Sequence, residues 1–121
     1  AFNKCKKIVT SNVTTRKDDN LFIIDFLRLV KCGWEQLDNS GVLLLRLLDL
    51  MNVNSISIAG FDGYSHISEN PNYMEKTRNT LNAEEANKDI KSMLVDYKNT
   101  RKSSCPISFI TPSYFETVMD E

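Results

Sequence analysis

Asp38-Asn39-Ser40-Gly41, continuing through Val42-Leu43-Leu44-Leu45-Arg46-Leu47-Leu48-Asp49-Leu50-Met51 into Val53-Asn54-Ser55-Ile56-Ser57-Ile58-Ala59-Gly60-Phe61-Asp62-Gly63-Tyr64, is the stretch that sets the fold class. From Val42 to Met51 only Arg46 and Asp49 are polar, so a helix here is apolar on nearly every side and belongs in a core. Asn39 or Ser40 can accept from the orphan N–H groups of its first turn, and Asn52 ends it. The segment from Val53 to Ala59 alternates apolar and polar residues, then meets the glycines at 60 and 63, the pattern of a strand followed by a tight turn. A buried helix feeding a short strand is an α/β unit.

Toward the N-terminus, Lys7-Ile8-Val9-Thr10 is a short β-branched run that stops at the turn-forming pair Ser11-Asn12. After the charged turn 16–20, Leu21-Phe22-Ile23-Ile24 is a continuous apolar run of the kind found in buried parallel strands. Residues 26–37 suit either an extended segment or a helical turn before Gly33, and both stay open. Toward the C-terminus, Tyr64 to Leu81 lacks a clean period and reads as a long loop, a length usually reserved for lids or binding loops. Asn82 with Glu85 forms a capping-box pattern ahead of a helix whose apolar face carries Ala86, Ile90, Met93, Leu94 and Tyr97. Its basic tail, Lys98 to Lys102, complements the negative end of the helix dipole. Pro106 to Ile110 is the last strand, with Thr111 and Pro112 as N-cap and first residue of a short closing helix. This order predicts one Rossmann-like, three-layer α/β domain over residues 1–121, with a small, mostly parallel sheet.

Composition narrows the function classes. Fifteen basic against sixteen acidic side chains leave a net charge of −1, and the short basic runs at 4–7 and 98–102 flank predicted elements, so no nucleic-acid partner is expected. Three cysteines, Cys5, Cys32 and Cys105, with one histidine offer no metal-ligand spacing, and no metal or cofactor is expected in this fragment. Free thiols and the lack of a spanning apolar run point to a cytoplasmic chain without a membrane partner. The start on Ala1-Phe2-Asn3 suggests a domain cut from a longer protein or a cloning remnant.

In a parallel sheet, ligands bind in the crevice outside the carboxyl ends of the strands. Ser11-Asn12, Gly60-Phe61-Asp62-Gly63-Tyr64 and Thr111-Pro112-Ser113 follow three predicted strands, and Asn39-Ser40-Gly41 opens the buried helix. Glycine admits a ligand close to the backbone, and a helix start presents N–H groups suited to phosphate or carboxylate. The candidate ligand residues are therefore Ser11, Asn12, Asn39, Ser40, Gly41, Gly60, Asp62, Gly63, Tyr64, Thr111 and Ser113. Asp62 can orient a ribose hydroxyl or hydrogen-bond its own turn. His66, the only histidine, is the sole side chain to nominate as a general acid or base, though a solvated loop histidine reads the same way. Lys76 and Arg78 suit a lid over an anion or ordinary surface solubility. Neither G-x-G-x-x-G after a strand nor a P-loop pattern occurs.

Lys7 to Asn12, Asp38 to Tyr64 and Ile107 to Tyr114 resemble the C-terminal domain of bacterial aldolases of the 4-hydroxy-2-oxovalerate type, encoded with polysaccharide genes. More distantly, the chain is similar to bacterial sialyltransferases that use CMP-sialic acid and to hydroxymethylpterin diphosphokinase-like domains. The first resemblance implies an upstream TIM-barrel lyase domain, this domain being its accessory. The second implies a CMP-like nucleotide or sugar nucleotide bound by Ser11-Asn12, Ser40-Gly41 and Gly60-Phe61-Asp62. Two departures stand against a transferase: no histidine lies just before the helix starting at 82, where those enzymes keep a catalytic one, and the strand expected to carry the first nucleotide contacts is missing. A non-catalytic module, including a homo-oligomerising one, is the further alternative. Aldol cleavage needs a Schiff-base lysine or a carbonyl-polarising metal, and the residues assemble neither.

Overall fold

The computed structural model describes residues 4–16, 19–64 and 83–120. It divides into two compact units, Ala1–Lys31 and Cys32–Glu121. In the first, β1 (Lys7–Thr10) and β2 (Leu21–Ile24) pair in parallel with Lys7 opposite Leu21 and Thr10 opposite Ile24. Backbone bonds extend the ladder at both ends, from Lys7 N–H to the Asn20 carbonyl and from Ser11 N–H to the Ile24 carbonyl, each at 2.8 Å. The Asp25 carboxylate then accepts from Leu27 N–H at 3.1 Å and starts a single 3₁₀ turn, Phe26–Arg28. That turn answers the first part of the open 26–37 segment. Its remainder forms neither helix nor strand.

The second unit holds α1 (Ser40–Leu50), β3 (Ile56–Ile58), α2 (Ala83–Thr100), β4 (Ile107–Phe109) and α3 (Glu116–Asp120). β3 and β4 pair in parallel, Ile56 opposite Ile107, so the described residues carry two small two-stranded parallel sheets among helices. The strand expected over 53–59 shortens to three residues, and the reason is Pro106. Ile56 N–H donates to the Pro106 carbonyl at 3.0 Å, but the next rung toward the N-terminus would need an N–H that proline lacks. Asn52 ends α1 as its sequence position suggests, with φ +54 in the left-handed region.

α2 packs against both α1 and α3. Val42 and Leu45 of α1, Ile90, Met93, Leu94 and Tyr97 of α2, and Phe115 and Val118 close one apolar core around β3. The two polar residues that interrupt α1 have separate tasks. Arg46 pairs with the buried Asp38 carboxylate and lies 6.0 Å from the centre of the Trp34 ring. Asp49 accepts from Lys102 N–H at 3.0 Å and Ser103 N–H at 2.7 Å, fastening the chain where it leaves α2.

Tyr97 lies in this core with 2% of its surface exposed. Burial, and after it the Asp49 charge, raise its phenol above the ordinary 10.0, while the Arg101 guanidinium beside it acts in the opposite sense. An acid whose folded pKa is raised favours the folded state below its unfolded pKa and loses that contribution as pH rises beyond it. The chain should therefore lose stability above about pH 10, and Tyr97→Phe should flatten that alkaline limb while changing neutral stability by less than about 1 kcal/mol. Urea midpoints taken from pH 7 to 11 would test this, and an unchanged alkaline limb in the variant would reject it.

The closing helix is displaced from its expected start. It begins at Glu116, not at Pro112, because the Thr111 hydroxyl accepts from Gly60 N–H at 2.9 Å and is taken up in joining the two strand ends. Ser113 forms a local turn ahead of the helix instead, its Oγ accepting from Phe115 N–H at 3.1 Å.

Candidate functional site

Three of the four polar clusters lie in the Cys32–Glu121 unit, where hydrogen bonds join two of them at the carboxyl edge of β3 and β4 and packing adds the third. Past the ladder, Ile110 N–H donates to the Ile58 carbonyl at 2.8 Å. Gly60 N–H then donates to Thr111 Oγ1, Ser113 Oγ donates to the Phe61 carbonyl at 2.5 Å, and Tyr114 N–H donates to the Asp62 carbonyl at 3.0 Å. The 59–64 and 111–114 loops are thus stitched rung by rung.

α1 joins this edge through Gly41. A Cβ on Gly41 would stand 2.7 Å from Cε2 of Phe61, so the missing side chain lets the Phe61 ring lie against the first turn of the helix. Phe61 in turn stacks at 5.3 Å on Phe115, which is fully buried. The Ser-Gly pair, read from sequence as a close approach for a ligand, admits an aromatic ring of the protein itself. Asn39 caps α1, its Oδ1 accepting from Gly41 N–H at 2.8 Å and Val42 N–H at 3.4 Å.

Gly63 and Tyr64 complete the arrangement. Gly63 has φ +93, and the Tyr64 backbone is held on both sides by Asn87, whose Oδ1 accepts from Tyr64 N–H and whose Nδ2 donates to the Tyr64 carbonyl, each at 2.8 Å. Asn87 is only 5% exposed, a polar side chain buried among the apolar residues of α2. It was not singled out from the sequence, yet a signal was there. It stands four residues after Ala83 and three before Ile90, in register with an otherwise apolar stripe.

Several groups at the edge remain turned outward. Ser40, Asp62 and Tyr114 are exposed, Tyr114 to 63%, and a Cβ built on Gly60, at φ +69, would meet nothing within 4 Å. It is the Asp62 carbonyl, not its carboxylate, that serves the turn; the carboxylate enters no hydrogen bond among the described residues. Beside this rim runs an apolar groove of about 220 Å³ between α1 and β3, lined by Gly41, Leu44, Leu48, Ile58, Ala59 and Phe61 among others.

Ser11 and Asn12 occupy the corresponding place in the other unit, at the carboxyl end of β1. Ser11 Oγ accepts from Phe26 N–H at 2.9 Å, and Asn12 is exposed. His66, Lys76, Arg78 and the Asn82 cap lie outside the described residues. Among those described, no group of three or more His, Cys, Asp or Glu residues could hold a metal ion. No described helix is long and apolar enough to cross a membrane. Cys5 and Cys32 are exposed thiols and Cys105 is a buried one.

Comparison with protein-family models, with curated proteins and with solved structures finds no match for this chain.

Proposed function

We propose that the chain is an accessory ligand-binding domain of Rossmann-like kind, taking a nucleotide or nucleotide sugar at the carboxyl edge of β3 and β4. Its place would be beside an upstream aldolase-type barrel in a longer cytoplasmic protein. The observation that carries this reading is the rim itself. Three loops meet there, and the Gly60 backbone, the Ser40 hydroxyl and the Asp62 carboxylate face outward next to a groove large enough for a ring. Asp62 in this position suits a ribose hydroxyl, as the acidic residue of a nucleotide crevice does.

A second reading has its own support. Thr111 and Ser113 are engaged in bonds between the loops and Asn39 in capping its own helix, and Leu44 stands 54% exposed on the groove, as in a self-associating module with no small ligand. A glycosyltransferase-like role would need a general base, and none is assembled among the described residues. Amide NMR of the whole 121-residue chain, titrated with cytidine and uridine nucleotides, separates the first two. Saturable shifts centred on Ser40, Gly60, Asp62 and Tyr114 are expected. Shifts confined to other residues, with line widths that grow with protein concentration, would favour self-association.

A further inference from the structure

The whole-chain charge of −1 conceals a division. Residues 1–31 carry seven basic against three acidic side chains, a net of +4, whereas residues 32–121 carry eight against thirteen, a net of −5. The positive share thus falls in one of the two compact units. Asymmetry of this kind marks the basic part as the piece that meets an anionic partner. In that unit Lys4, Lys6, Arg16 and Arg28 are exposed. Of its described acids, Asp25 accepts from Leu27 N–H to start the 3₁₀ turn, and Asp19 is exposed.

The same unit also presents apolar side chains. Ile8 stands directly opposite Phe22 in the parallel register, so the two share one face of the strand pair, and each is half exposed. Lys6 stands two residues before Ile8. Ile23 is exposed too, but it belongs to the opposite face, where its register partner Val9 is partly buried. The turn after β2 exposes Leu27, to 78%, and Arg28. Cations beside exposed aliphatic and aromatic side chains suit an anionic membrane surface, where the charges meet headgroups and the apolar groups settle at the acyl boundary. A nucleic acid would use the same cations but binds through stacking and groove contacts, to which Ile8 and Leu27 add little. We infer that the Ala1–Lys31 unit is a docking surface for an anionic lipid membrane, engaged through its basic side chains and the Ile8–Phe22 pair. Such docking is peripheral, needs no spanning apolar run and asks nothing of the β3–β4 crevice.

The test is co-sedimentation of the whole 121-residue chain with vesicles of phosphatidylcholine alone and of phosphatidylcholine mixed with phosphatidylserine, at low and high ionic strength. Binding to the mixed vesicles only, weakening with salt, is expected. Lys4→Gln and Lys6→Gln should each weaken it about fivefold, and Phe22→Ser about tenfold. Ile23→Ser, on the opposite face, should change it by less than about twofold. Lys4 and Lys6 are exposed, so their variants keep the test open even if Phe22→Ser fails to fold, which its urea melt would reveal. Equal binding to both vesicle types, binding to neither at low salt, or mixed-vesicle binding indifferent to Lys4 and Lys6 would overturn the assignment. A loss for Ile23→Ser equal to that for Phe22→Ser would do the same, since the contact would not lie on the Ile8–Phe22 face. A DNA duplex that displaces the chain from mixed vesicles and binds Phe22→Ser as well as the wild type would give the surface to nucleic acid instead.

Discussion

Replacing Asn87 by aspartate should destabilise the protein by about 3–5 kcal/mol at neutral pH, the range for an uncompensated buried charge. The amide of Asn87 acts as a surrogate peptide for Tyr64, accepting from its N–H and donating to its carbonyl, both at 2.8 Å. A carboxylate keeps the first bond and turns the second into two oxygens facing one another. At 5% exposure little water can relieve that repulsion. Protonation would, because a carboxylic acid can donate to the Tyr64 carbonyl, so the folded state should raise the new group's pKa. The sign follows. An acid with a raised folded pKa is least harmful below its unfolded pKa, near 4, and costs progressively more as pH rises through the folded value. Urea unfolding at pH 5 and pH 8 should show the larger loss at pH 8, whereas Asn87→Leu should lose about 2–3 kcal/mol at both. An aspartate variant whose loss is independent of pH would mean that the side chain does not face the Tyr64 carbonyl.

Alanine at Gly63 should cost about 2–4 kcal/mol, and alanine at Gly60 only about 1 kcal/mol, although both glycines have positive φ and follow the same strand. The backbone strain is shared, but the surroundings are not. A Cβ on Gly63 would lie 3.1 Å from Cβ of Tyr114, 3.2 Å from Oδ1 of Asn87 and 3.4 Å from Cε2 of Phe115. None of these can yield easily: one is bonded directly to the backbone, one belongs to the pair that holds Tyr64, and one is on a fully buried ring. A Cβ on Gly60 enters open space. Thermal or urea melts of the two variants side by side would decide, and a Gly60→Ala loss equal to that of Gly63→Ala would contradict the packing at the 61–64 turn.

Much of the local structure is legible in the sequence because it depends on neighbours in the chain. The apolar run from Val42 to Met51 with Asn39 before it and Asn52 after it specifies α1, its cap and its left-handed end without any long-range contact. The short apolar strands and their parallel pairing follow similarly, from β-branched runs separated by helices or long connections. The site is different. Ser113 and Thr111 look like a ligand-facing pair and a helix cap, but their hydroxyls serve Phe61 and Gly60, more than fifty residues earlier in the chain. Which partner a hydroxyl takes is settled by what the fold brings within 3 Å, and local pattern carries no such distance.

The sequence by itself thus determined α1, the apolar face of α2, the places of the strands though not the length of β3, the turn glycines and the absence of dinucleotide and P-loop signatures, all features governed by backbone propensity, capping and periodicity. Only the tertiary structure decided which polar groups at the strand ends are spent and which face outward. Gly41 makes room for Phe61, Asn87 holds Tyr64, and Asn39 takes two amides of α1, leaving Ser40, Gly60 and Asp62 on the rim. The physical reason is that hydrogen-bond satisfaction is a global property. A buried donor takes the acceptor that packing sets beside it, and the residues left over, readable only after that pairing is complete, are those available to a ligand.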